Sequence, residues 1–469
     1  MQKLKSFSLE NGEMNGYFDE DGRIRRTGTL ISASAHVMTV VVGSGVLSLA
    51  WCLAQLGWIA GILLLVVFAV VTLFTCVLLT DCYRSPDPVS GNRNYNYTQA
   101  VKVNLGGFKY KLCGVSQYTI QVGATIGYTI TSAISMAAVK RSNCFHIHGH
   151  NTGCHTLNNS YVFIFACIEI VLSQIPNFHK LSLVSIVATI MSFCYASIGI
   201  GLSIAKIAGA GASPKTSLTG ITIGQNMTSM EKMWNIFSAI GDIAFAYSFS
   251  PVLLEIQDTL KPSPPENKVM KKASTIGIGA STLLYILCGA LGYVAFGNDS
   301  SGNYLTGFGF YEPFWLVDIG NICVVIHLLG AFQVIIQPFF MFVENWSREK
   351  RPGSKFIETE YFIGRYSINL FRLTWRTVYV ILVTIVAMMF PFFNSFIGLI
   401  GSMTYWPLTI YFPIEMYISR AKIRTGSFRW ILLKVLTLVC LIVALLGAAG
   451  SIRGLVVVVS RFELFRSVS

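Results

Sequence analysis

Long apolar stretches separated by short polar ones run along almost the whole chain. The 54 residues between Arg26 and Asp81 contain no Asp, Glu, Lys or Arg. A helix needs about 20 apolar residues to cross about 30 Å of hydrocarbon, so this stretch predicts two membrane helices joined by a tight turn at Gly57. The same pattern continues towards the carboxyl end and predicts eleven spans, near residues 30–53, 59–80, 112–139, 160–175, 182–207, 234–256, 273–296, 313–343, 377–393, 396–418 and 430–450.

Two of these spans contain a break near mid-membrane. Gly43-Ser44-Gly45 lies near the middle of the first span, and Tyr247-Ser248-Phe249-Ser250-Pro251 lies at nearly the same offset in the sixth. Five spans separate the breaks, and an odd number of helices per repeat inverts the second copy. Interrupted helices at matching positions of two halves indicate a transporter site between the repeats. We therefore predict an all-α polytopic membrane protein with a 5+5 inverted repeat, broken helices 1 and 6, and one extra helix.

Composition and charge agree with one membrane domain. The chain is 53% hydrophobic and 12% charged. Its formal charge of +13 does not indicate a nucleic-acid partner, because the basic residues lie in short loops, and 27 of the 35 Lys and Arg fall on the predicted cytosolic side. The predicted divisions are a cytosolic polar tail (1–28), one transmembrane domain (29–451) with repeats at about 29–207 and 234–418 and an extra helix at about 430–450, and an extracellular tail (452–469).

The two breaks predict a binding site for a small zwitterion. Unwound backbone at membrane depth is costly unless it is buried in protein or lines a wet cavity. We expect the amides of Gly43, Ser44 and Gly45 to be free at the positive end of a half helix that begins at Val46, where they suit a carboxylate. We expect free carbonyls in the other break to suit an ammonium group, and the residues concerned are Phe245, Ala246, Tyr247 and Ser248. The predicted substrate is therefore an amino acid.

Ionisable side chains inside spans are candidates for coupling transport to an ion, because burying them is expensive. The candidates within or at the edges of spans are His36, Glu169, Asp242, Glu255, Asp318, His327 and Glu415. A histidine titrates in the range where a proton gradient operates, and Asp242 lies five residues before Tyr247. We therefore select His36, Asp242 and His327 as proton-coupling candidates. For the histidines, the alternative is a neutral ring hydrogen-bonded to a neighbour.

The eighth span favours the proton over sodium. In this architecture one sodium position uses hydroxyl groups of that span, and there is no Ser or Thr between Phe314 and Val343. We predict no cofactor other than the proton as the coupling ion.

The predicted external loop after the third span carries Cys144 and Cys154. An oxidising exterior permits a disulfide between them. Four histidines lie in or beside the same loop, so a zinc site is the alternative; they are His146, His148, His150 and His155. We predict the disulfide and no metal site.

Several longer motifs resemble those of the plant amino acid permeases. They are Asp81-Cys82-Tyr83-Arg84-Ser85-Pro86-Asp87-Pro88, Gly91-Asn92-Arg93-Asn94-Tyr95, Ser173-Gln174-Ile175-Pro176-Asn177-Phe178-His179 and Gly307-Phe308-Gly309-Phe310-Tyr311-Glu312-Pro313-Phe314-Trp315. The resemblance runs from about Thr27 to Ser451. It implies a proton/amino acid symporter of the plant plasma membrane, in the amino acid and auxin permease group, with a fold like that of the bacterial leucine transporter. The chain departs from the family at Ser395, where an acidic residue is usual.

The predicted function is import of amino acids with protons across the plasma membrane by alternating access. The expected partners are amino acids, protons and membrane lipids. The alternatives are a sodium-coupled amino acid carrier, a carrier of an auxin-like organic acid, and a membrane receptor that senses amino acids. We find no clustered nucleophile and base facing a cavity, so we do not predict an enzyme.

Overall fold

The structure is a computed structural model, and it describes residues 26–149, 154, 158–175, 182–209, 214–224, 227–308, 313–363, 366–389 and 393–461. Most of these residues are helical. In chain order the α-helices are α1 (Leu30–Val41), α2 (Leu49–Thr80), α3 (Tyr97–Leu105), α4 (Gly107–His148), α5 (Asn158–Leu172), α6 (Ser182–Gly209), α7 (Ser229–Ala246), α8 (Leu253–Gln257), α9 (Glu266–Phe296), α10 (Phe314–Lys350), α11 (Lys355–Glu358), α12 (Leu370–Met389), α13 (Phe393–Tyr405), α14 (Phe412–Arg420) and α15 (Phe428–Arg461).

Shorter elements join the helices. Turns of 3₁₀ helix cover Ser44–Ser48, Asp81–Tyr83, Ser250–Val252, Gly297–Asp299 and Tyr304–Phe308, and a π-helical segment covers Trp406–Tyr411. Two antiparallel hairpins lie in loops. β1 (Arg84–Ser85) pairs with β2 (Asn92–Arg93), with Ser85 opposite Asn92. β3 (Glu360–Ile363) pairs with β4 (Tyr366–Asn369), with Glu360 opposite Asn369.

The helices agree with the predicted membrane protein. In the described part of the chain, eight helical stretches are long and apolar enough to cross a membrane, and Leu30–Val41 and Asn158–Leu172 are shorter apolar helices. The first of the eight, Ser44–Tyr83, contains the second half of the first predicted span and all of the second.

The predicted turn at Gly57 separates the first two spans inside α2. Gly57 has φ 77° and ψ 175°, a conformation that favours glycine. The loop before the sixth span fixes this turn, because the amides of Trp58 and Ile59 donate to the carbonyls of Ser217 and Leu218 at 3.2 Å. The turn is therefore held by backbone contacts as well as by its own residue type.

The first and sixth spans begin with the same local device. Thr29 caps α1 by accepting a hydrogen bond from the amide of Ser32, whose side chain accepts one from the Thr29 amide. Thr228 and Glu231 form the matching capping box at the start of α7. Both boxes satisfy amides that lack a partner in the first helical turn.

The last two predicted spans differ from the structure. The tenth, predicted over 396–418, lies within an unbroken helical run from 393 to 420, in which Trp406–Tyr411 is π-helical instead of α-helical. Pro407 and Pro413 have no amide hydrogen to maintain the α-helical ladder there. The last helix, predicted to end at 450, continues to Arg461 because an apolar run follows Gly454. Residues 462–469 of the predicted tail lie outside the described residues.

The packing of the helices places both breaks inside the protein. α9 packs against α1 and α2, and α2 also packs against α7. On the other side α10 packs against α4 and α6. The breaks at the ends of α1 and α7 therefore meet among α6, α9 and α4, away from lipid.

Cys144 and Cys154 form the predicted disulfide. Among the residues that the structure describes, no group of His, Cys, Asp or Glu is arranged to hold a metal ion. His150 and His155 of the zinc alternative lie outside the described residues.

Candidate functional site between the two helix breaks

The first break lies where the glycine motif predicts it. α1 ends at Val41, Val42 has φ −79° and ψ 69°, and Gly43 is extended with φ −102° and ψ −152°. The chain then re-enters as the 3₁₀ turn Ser44–Ser48 before α2 begins. Every residue of this turn is buried, so the unwound backbone is enclosed by protein.

The amides of this break are only partly as expected. The Gly43 amide donates to the Val41 carbonyl at 2.8 Å, so the prediction that it is free is wrong. The half helix begins at Ser44 instead of Val46, and the Val46 amide donates back to the Gly43 carbonyl at 3.4 Å. The amides of Ser44 and Gly45 therefore form its positive end. The Ser44 Oγ is buried and has no hydrogen-bond partner among the described residues.

The second break follows Ala246. Tyr247 leaves the helical region with φ −100° and ψ 8°, and a 3₁₀ turn begins at Ser250. Pro251 is in the first turn of that segment, where its missing amide costs little. The proline therefore fits the break and restarts the helix.

The carbonyls of Phe245, Ala246 and Tyr247 in the second break have partners, which contradicts the expectation that they are free. Those of Phe245 and Tyr247 accept from the amides of Ser248 (3.0 Å) and Phe249 (3.1 Å). The Ala246 carbonyl accepts from the Tyr285 hydroxyl at 3.0 Å. Buried carbonyls in an apolar surrounding must find donors, and tight turns and a tyrosine supply them here.

Two tyrosine hydroxyls hold the carbonyls of both breaks. The Tyr285 hydroxyl, from α9, lies between the carbonyls of Val41 and Ala246. The Tyr195 hydroxyl, from α6, lies 3.2 Å from the carbonyl of Val42 and 3.0 Å from that of Gly43. A hydroxyl has one proton to donate, so each tyrosine serves two acceptors with a single donor. The carbonyls of Val41 and Gly43 also accept from the amides of Gly43 and Val46, so each tyrosine can donate to the other member of its pair. Every carbonyl then has one donor, and its oxygen has a second lone pair for a further hydrogen bond.

The two breaks touch each other. A Cβ added to Gly45 would lie 2.9 Å from the Cα and Cβ of Ala246, closer than such atoms approach. Glycine is therefore required at this position for the unwound segments to meet. A Cβ on Gly43 would be 3.8 Å from the Tyr128 hydroxyl of α4, so Tyr128 also borders the site.

His327 is connected to the first break through Tyr195. It is fully buried on α10, and its Nδ1 lies 2.8 Å from the Ala188 carbonyl. A carbonyl only accepts, so Nδ1 carries the proton and Nε2 of the neutral ring is an acceptor, with no partner among the described residues. The ring packs edge-on against Tyr195 at 5.6 Å between centroids. The hydrogen bond to Ala188 is the neighbour contact that the alternative for this histidine expects.

Asp242 and His36 lie in different surroundings. Asp242 is fully buried on α7, its Oδ2 accepts from the Cys52 thiol at 3.9 Å, and its Oδ1 faces Gly398 of α13. It therefore sits where the first, sixth and tenth spans meet. His36 is half-buried on α1. The three proton-coupling candidates therefore lie on three different helices, α1, α7 and α10.

Three of the four other ionisable candidates have structural partners in the described part of the chain, and Glu255 is the exception. Glu169 accepts from the Gln333 amide at 2.5 Å, and Asp318 accepts from the Asn143 amide at 2.7 Å. Glu415 pairs with Lys109 at 3.3 Å and with Lys434. Glu255 lies near Gln117 and Tyr97 in the second half of the sixth span.

The ends of the same two spans are joined by backbone and charge. The Gly28 amide donates to the Thr259 carbonyl at 2.9 Å, and the Lys261 amide donates to the Gly28 carbonyl at 3.1 Å. Glu266 pairs with both Arg26 and Arg84 at 2.6 Å. Its hydrogen bond raises the pKa of the Arg84 guanidinium. The segment before α1 is thereby fixed to the segment that follows the sixth span.

Sequence reasoning did not identify Tyr195, Tyr285 or Tyr128. Each is a tyrosine within an otherwise apolar or small-residue span, and a buried hydroxyl needs a partner. That composition is a signal for a polar contact, although it does not name the partner.

Comparison with known proteins gives consistent matches. Residues 26–457 match the family described as transmembrane amino acid transporter protein. Amino acid permease 6 of Arabidopsis thaliana is 57% identical over 480 residues, covering 100% of both chains. Amino acid permease 1 of the same plant is 56% identical over 455 residues, covering 96% of this chain and 94% of the relative.

Solved structures show the same fold at low identity. A crystal structure of MhsT in complex with L-phenylalanine has a TM-score of 0.58 at 13% identity and covers 90% of this chain and 99% of that one. A substrate-bound, outward-open Na⁺-coupled sialic acid symporter has a TM-score of 0.51 at 10% identity, with 99% and 95% covered. The predicted fold, like that of the bacterial leucine transporter, is confirmed.

Proposed function

The chain belongs to the plant amino acid permease family, so it is a multi-pass membrane transporter of amino acids, and we propose that it imports them together with protons across the plasma membrane. The amino terminus is then cytosolic and the carboxyl terminus extracellular, in agreement with the distribution of Lys and Arg along the chain. In the alternating-access cycle, the first and sixth spans move as one unit relative to the helices around α4 and α10.

The contact between the two breaks carries this proposal. The amides of Ser44 and Gly45 and the Ser44 hydroxyl are the groups we assign to the substrate carboxylate. The carbonyls of Val41 and Ala246, which share the single proton of Tyr285, are the groups we assign to the ammonium. Since these groups bind only the part common to all amino acids, selectivity depends on the neighbouring side chains.

His327 is the proton acceptor that the contacts favour. Its Nε2 is able to accept a proton, and its ring rests on Tyr195, which holds the carbonyls of Val42 and Gly43. A charge on this ring changes the field at Tyr195 and thus at the substrate site. His36 and Asp242 remain proton-coupling candidates, because both lie on the two spans that contain the breaks.

Uptake into proteoliposomes tests this function. We expect a labelled neutral amino acid to accumulate when the outside is acidic and the inside negative, and accumulation to stop when a proton ionophore is added. A charge that crosses about 100 mV supplies roughly 2.3 kcal/mol, enough for roughly a fiftyfold gradient. Accumulation that requires sodium and does not depend on pH would show that sodium, and not the proton, is the coupling ion. Binding without accumulation under either gradient would favour the sensing receptor.

Substituting His327 tests the proposed acceptor. His327→Gln retains a donor that can reach the Ala188 carbonyl but removes the titrating group. We expect exchange of amino acid between the two sides to survive while the pH dependence of uptake is reduced. Unchanged pH dependence would remove His327 from coupling and leave His36 and Asp242.

A further inference from the structure

A cavity of about 590 Å³ lies at the proposed cytosolic end, away from the two breaks. The segment that enters α1 forms one wall, with Gly28, Thr29 and Leu30. The loop before α9 and its first turns form the other, with Leu260, Pro264 and Val269 among the uncharged residues. The cavity is therefore mostly apolar, and it lies beside the Gly28–Thr259 contact that closes this end.

All the charged residues of the cavity are lysines. They are Lys261, Lys268, Lys271 and Lys272. Lys271 pairs with Asp81 at 2.7 Å. The other three are exposed, and none of them forms an ion pair with a residue that the structure describes. The cavity thus offers three positive charges to an anion.

The face of α9 that leaves the cavity is apolar and open. Lys272, Ile276, Gly279 and Leu283 follow one another at steps of four, three and four, so they share one face of the helix. Ile276 is 48% exposed and Leu283 is 61% exposed, and a Cβ on Gly279 would meet nothing within 4 Å. Ile31, at the start of α1, is 81% exposed. A positive end that continues into an apolar groove matches a phosphate group attached to a hydrocarbon chain.

We propose that this cavity binds an anionic phospholipid of the cytoplasmic leaflet. The three exposed lysines hold the phosphate-bearing headgroup, and an acyl chain lies along Ile276 and Leu283. The cytoplasmic leaflet is the anionic one and attracts basic residues at its surface. The proposal rests on the orientation given under the proposed function, but it does not depend on the coupling ion.

The position of the cavity gives the lipid an effect on transport. Gly28 lines the cavity and also accepts from Lys261 and donates to Thr259. A lipid bound against both walls holds these two segments together. It therefore favours the closed state of this end, and it slows the release of substrate to the cytosol.

Lipid binding to the purified full-length protein tests the site. The variant combines Lys261→Gln, Lys268→Gln and Lys272→Gln. A matched control combines Arg348→Gln, Lys350→Gln and Arg351→Gln, which removes the same charge from exposed residues at the same proposed face. The probes are short-chain phosphatidylserine and phosphatidylinositol 4-phosphate, with phosphatidylcholine as the neutral lipid, and binding is read by native mass spectrometry and by the shift in thermal stability.

We expect the cavity variant to lose at least tenfold in affinity for the anionic lipids and the control variant to lose less than twofold. Equal losses in both variants would overturn the proposal, since they would indicate general attraction to the charged surface. Inorganic phosphate that displaces the lipid at equal concentration would also overturn it, in favour of a soluble anion. The chain has its own acidic segment, Asp19-Glu20-Asp21, before α1 in the sequence. If Asp19→Asn, Glu20→Gln and Asp21→Asn together raised the lipid affinity tenfold or more, this segment would be the natural occupant of the cavity and the lipid proposal would be overturned.

The test is independent of the proposed transport mechanism. Lipid binding is measured on the purified protein, so it is unaffected if sodium replaces the proton. Conversely, proton-coupled uptake in phosphatidylcholine vesicles would support the proposed function whatever the outcome for the lipid. Folding of the cavity variant is checked by its retained uptake in those vesicles.

Discussion

The first and sixth spans are joined twice, once in mid-membrane and once at the proposed cytosolic end, and the two junctions use different chemistry. In the middle, Gly45 rests on Ala246, and Tyr285 lies between a carbonyl from each break. At the end, Gly28 pairs with the backbone beside Thr259, and Glu266 binds two arginines. The central junction is neutral and depends on shape, whereas the end junction is charged.

Burial explains this difference. A charged pair in the middle of the membrane requires two ions to be removed from water, at a cost that their attraction does not always recover. A tyrosine hydroxyl between carbonyls satisfies them without that cost. At the end, Arg84 retains 16% of its side-chain exposure, so water can replace its partner when the junction opens. The comparison therefore predicts that almost any substitution at the central junction reduces transport strongly. Several substitutions at the end junction are expected to reduce it only a little.

The largest effect is expected for Gly45→Ala. The added Cβ collides with the backbone of Ala246, which cannot move aside as a flexible side chain can. Overpacking costs typically about 1–3 kcal/mol, so we expect uptake to fall at least about tenfold at an equal amount of protein in the membrane. Gly201→Ala is the control, because its Cβ would meet nothing within 4 Å. Equal activity of both variants would mean that the breaks need not touch.

Tyr285→Phe comes next. The substitution keeps the ring and removes the hydroxyl that lies between the carbonyls of Val41 and Ala246. The Val41 carbonyl keeps the Gly43 amide as a donor, whereas the Ala246 carbonyl loses the donor described for it. An unsatisfied buried group costs about 1–3 kcal/mol, and we expect the apparent affinity for amino acid to fall by roughly tenfold. The measurement is concentration-dependent uptake.

Tyr379→Phe is the control for that variant. Tyr379 is also buried, but its hydroxyl contacts the Thr125 side chain at 2.7 Å, away from both breaks. A similar change in affinity in both variants would show that any lost tyrosine hydroxyl has this effect, and the special role of the central junction would be rejected.

The main features of the fold could be predicted from local signals in the sequence. The length of apolar runs determines where spans lie, and Gly57 and the motif at Gly43 act within a few residues of themselves. Proline acts in the same local way, but the prediction did not include the π-helical segment at Pro407. Its effect depends on whether neighbouring helices accommodate a π-helical segment, which hydropathy does not report.

The partners within the site could not be predicted from the sequence. Tyr195 is 152 residues from Gly43, and Tyr285 is 244 residues from Val41. Contacts over such separations depend on how α6 and α9 pack and rotate. The Gly43 amide and the Ala246 carbonyl were predicted to be free for the same reason. The groups that pair with them are known only once the chain has folded.

The end junction is tested by Glu266→Gln. The amide cannot hold both Arg26 and Arg84 as the carboxylate does, so this end opens more easily. We expect faster alkylation of Cys82, a buried free thiol near this junction, by roughly two- to fivefold, together with a smaller loss of uptake than in Gly45→Ala. A two- to fivefold change in rate corresponds to roughly 0.4–1 kcal/mol.

Glu358→Gln is the control for this variant, because Glu358 is exposed and accepts from the backbone of Gly353 instead of pairing with Glu266's arginines. An unchanged rate of Cys82 alkylation in Glu266→Gln would indicate that the backbone pairing at Gly28 is sufficient to close this end. Both junctions would then be held by neutral groups, and the proposed contrast between a neutral and a charged junction would be wrong.

The smallest effect is expected for Lys271→Gln, at the exposed edge of the end junction. Lys271 pairs with Asp81 at 2.7 Å, but 34% of its side chain is exposed, and Asp81 also accepts from the Asn267 amide. Exposed pairs contribute about 0–1 kcal/mol and are screened by salt. We expect Cys82 alkylation to change by less than about twofold at low ionic strength, with the difference from the unsubstituted protein vanishing at about 1 M salt. A larger change in the Cys82 alkylation rate in Lys271→Gln than in Glu266→Gln would show that burial does not determine how strongly each charged residue closes this end. The proposed difference between the two junctions would then need another cause.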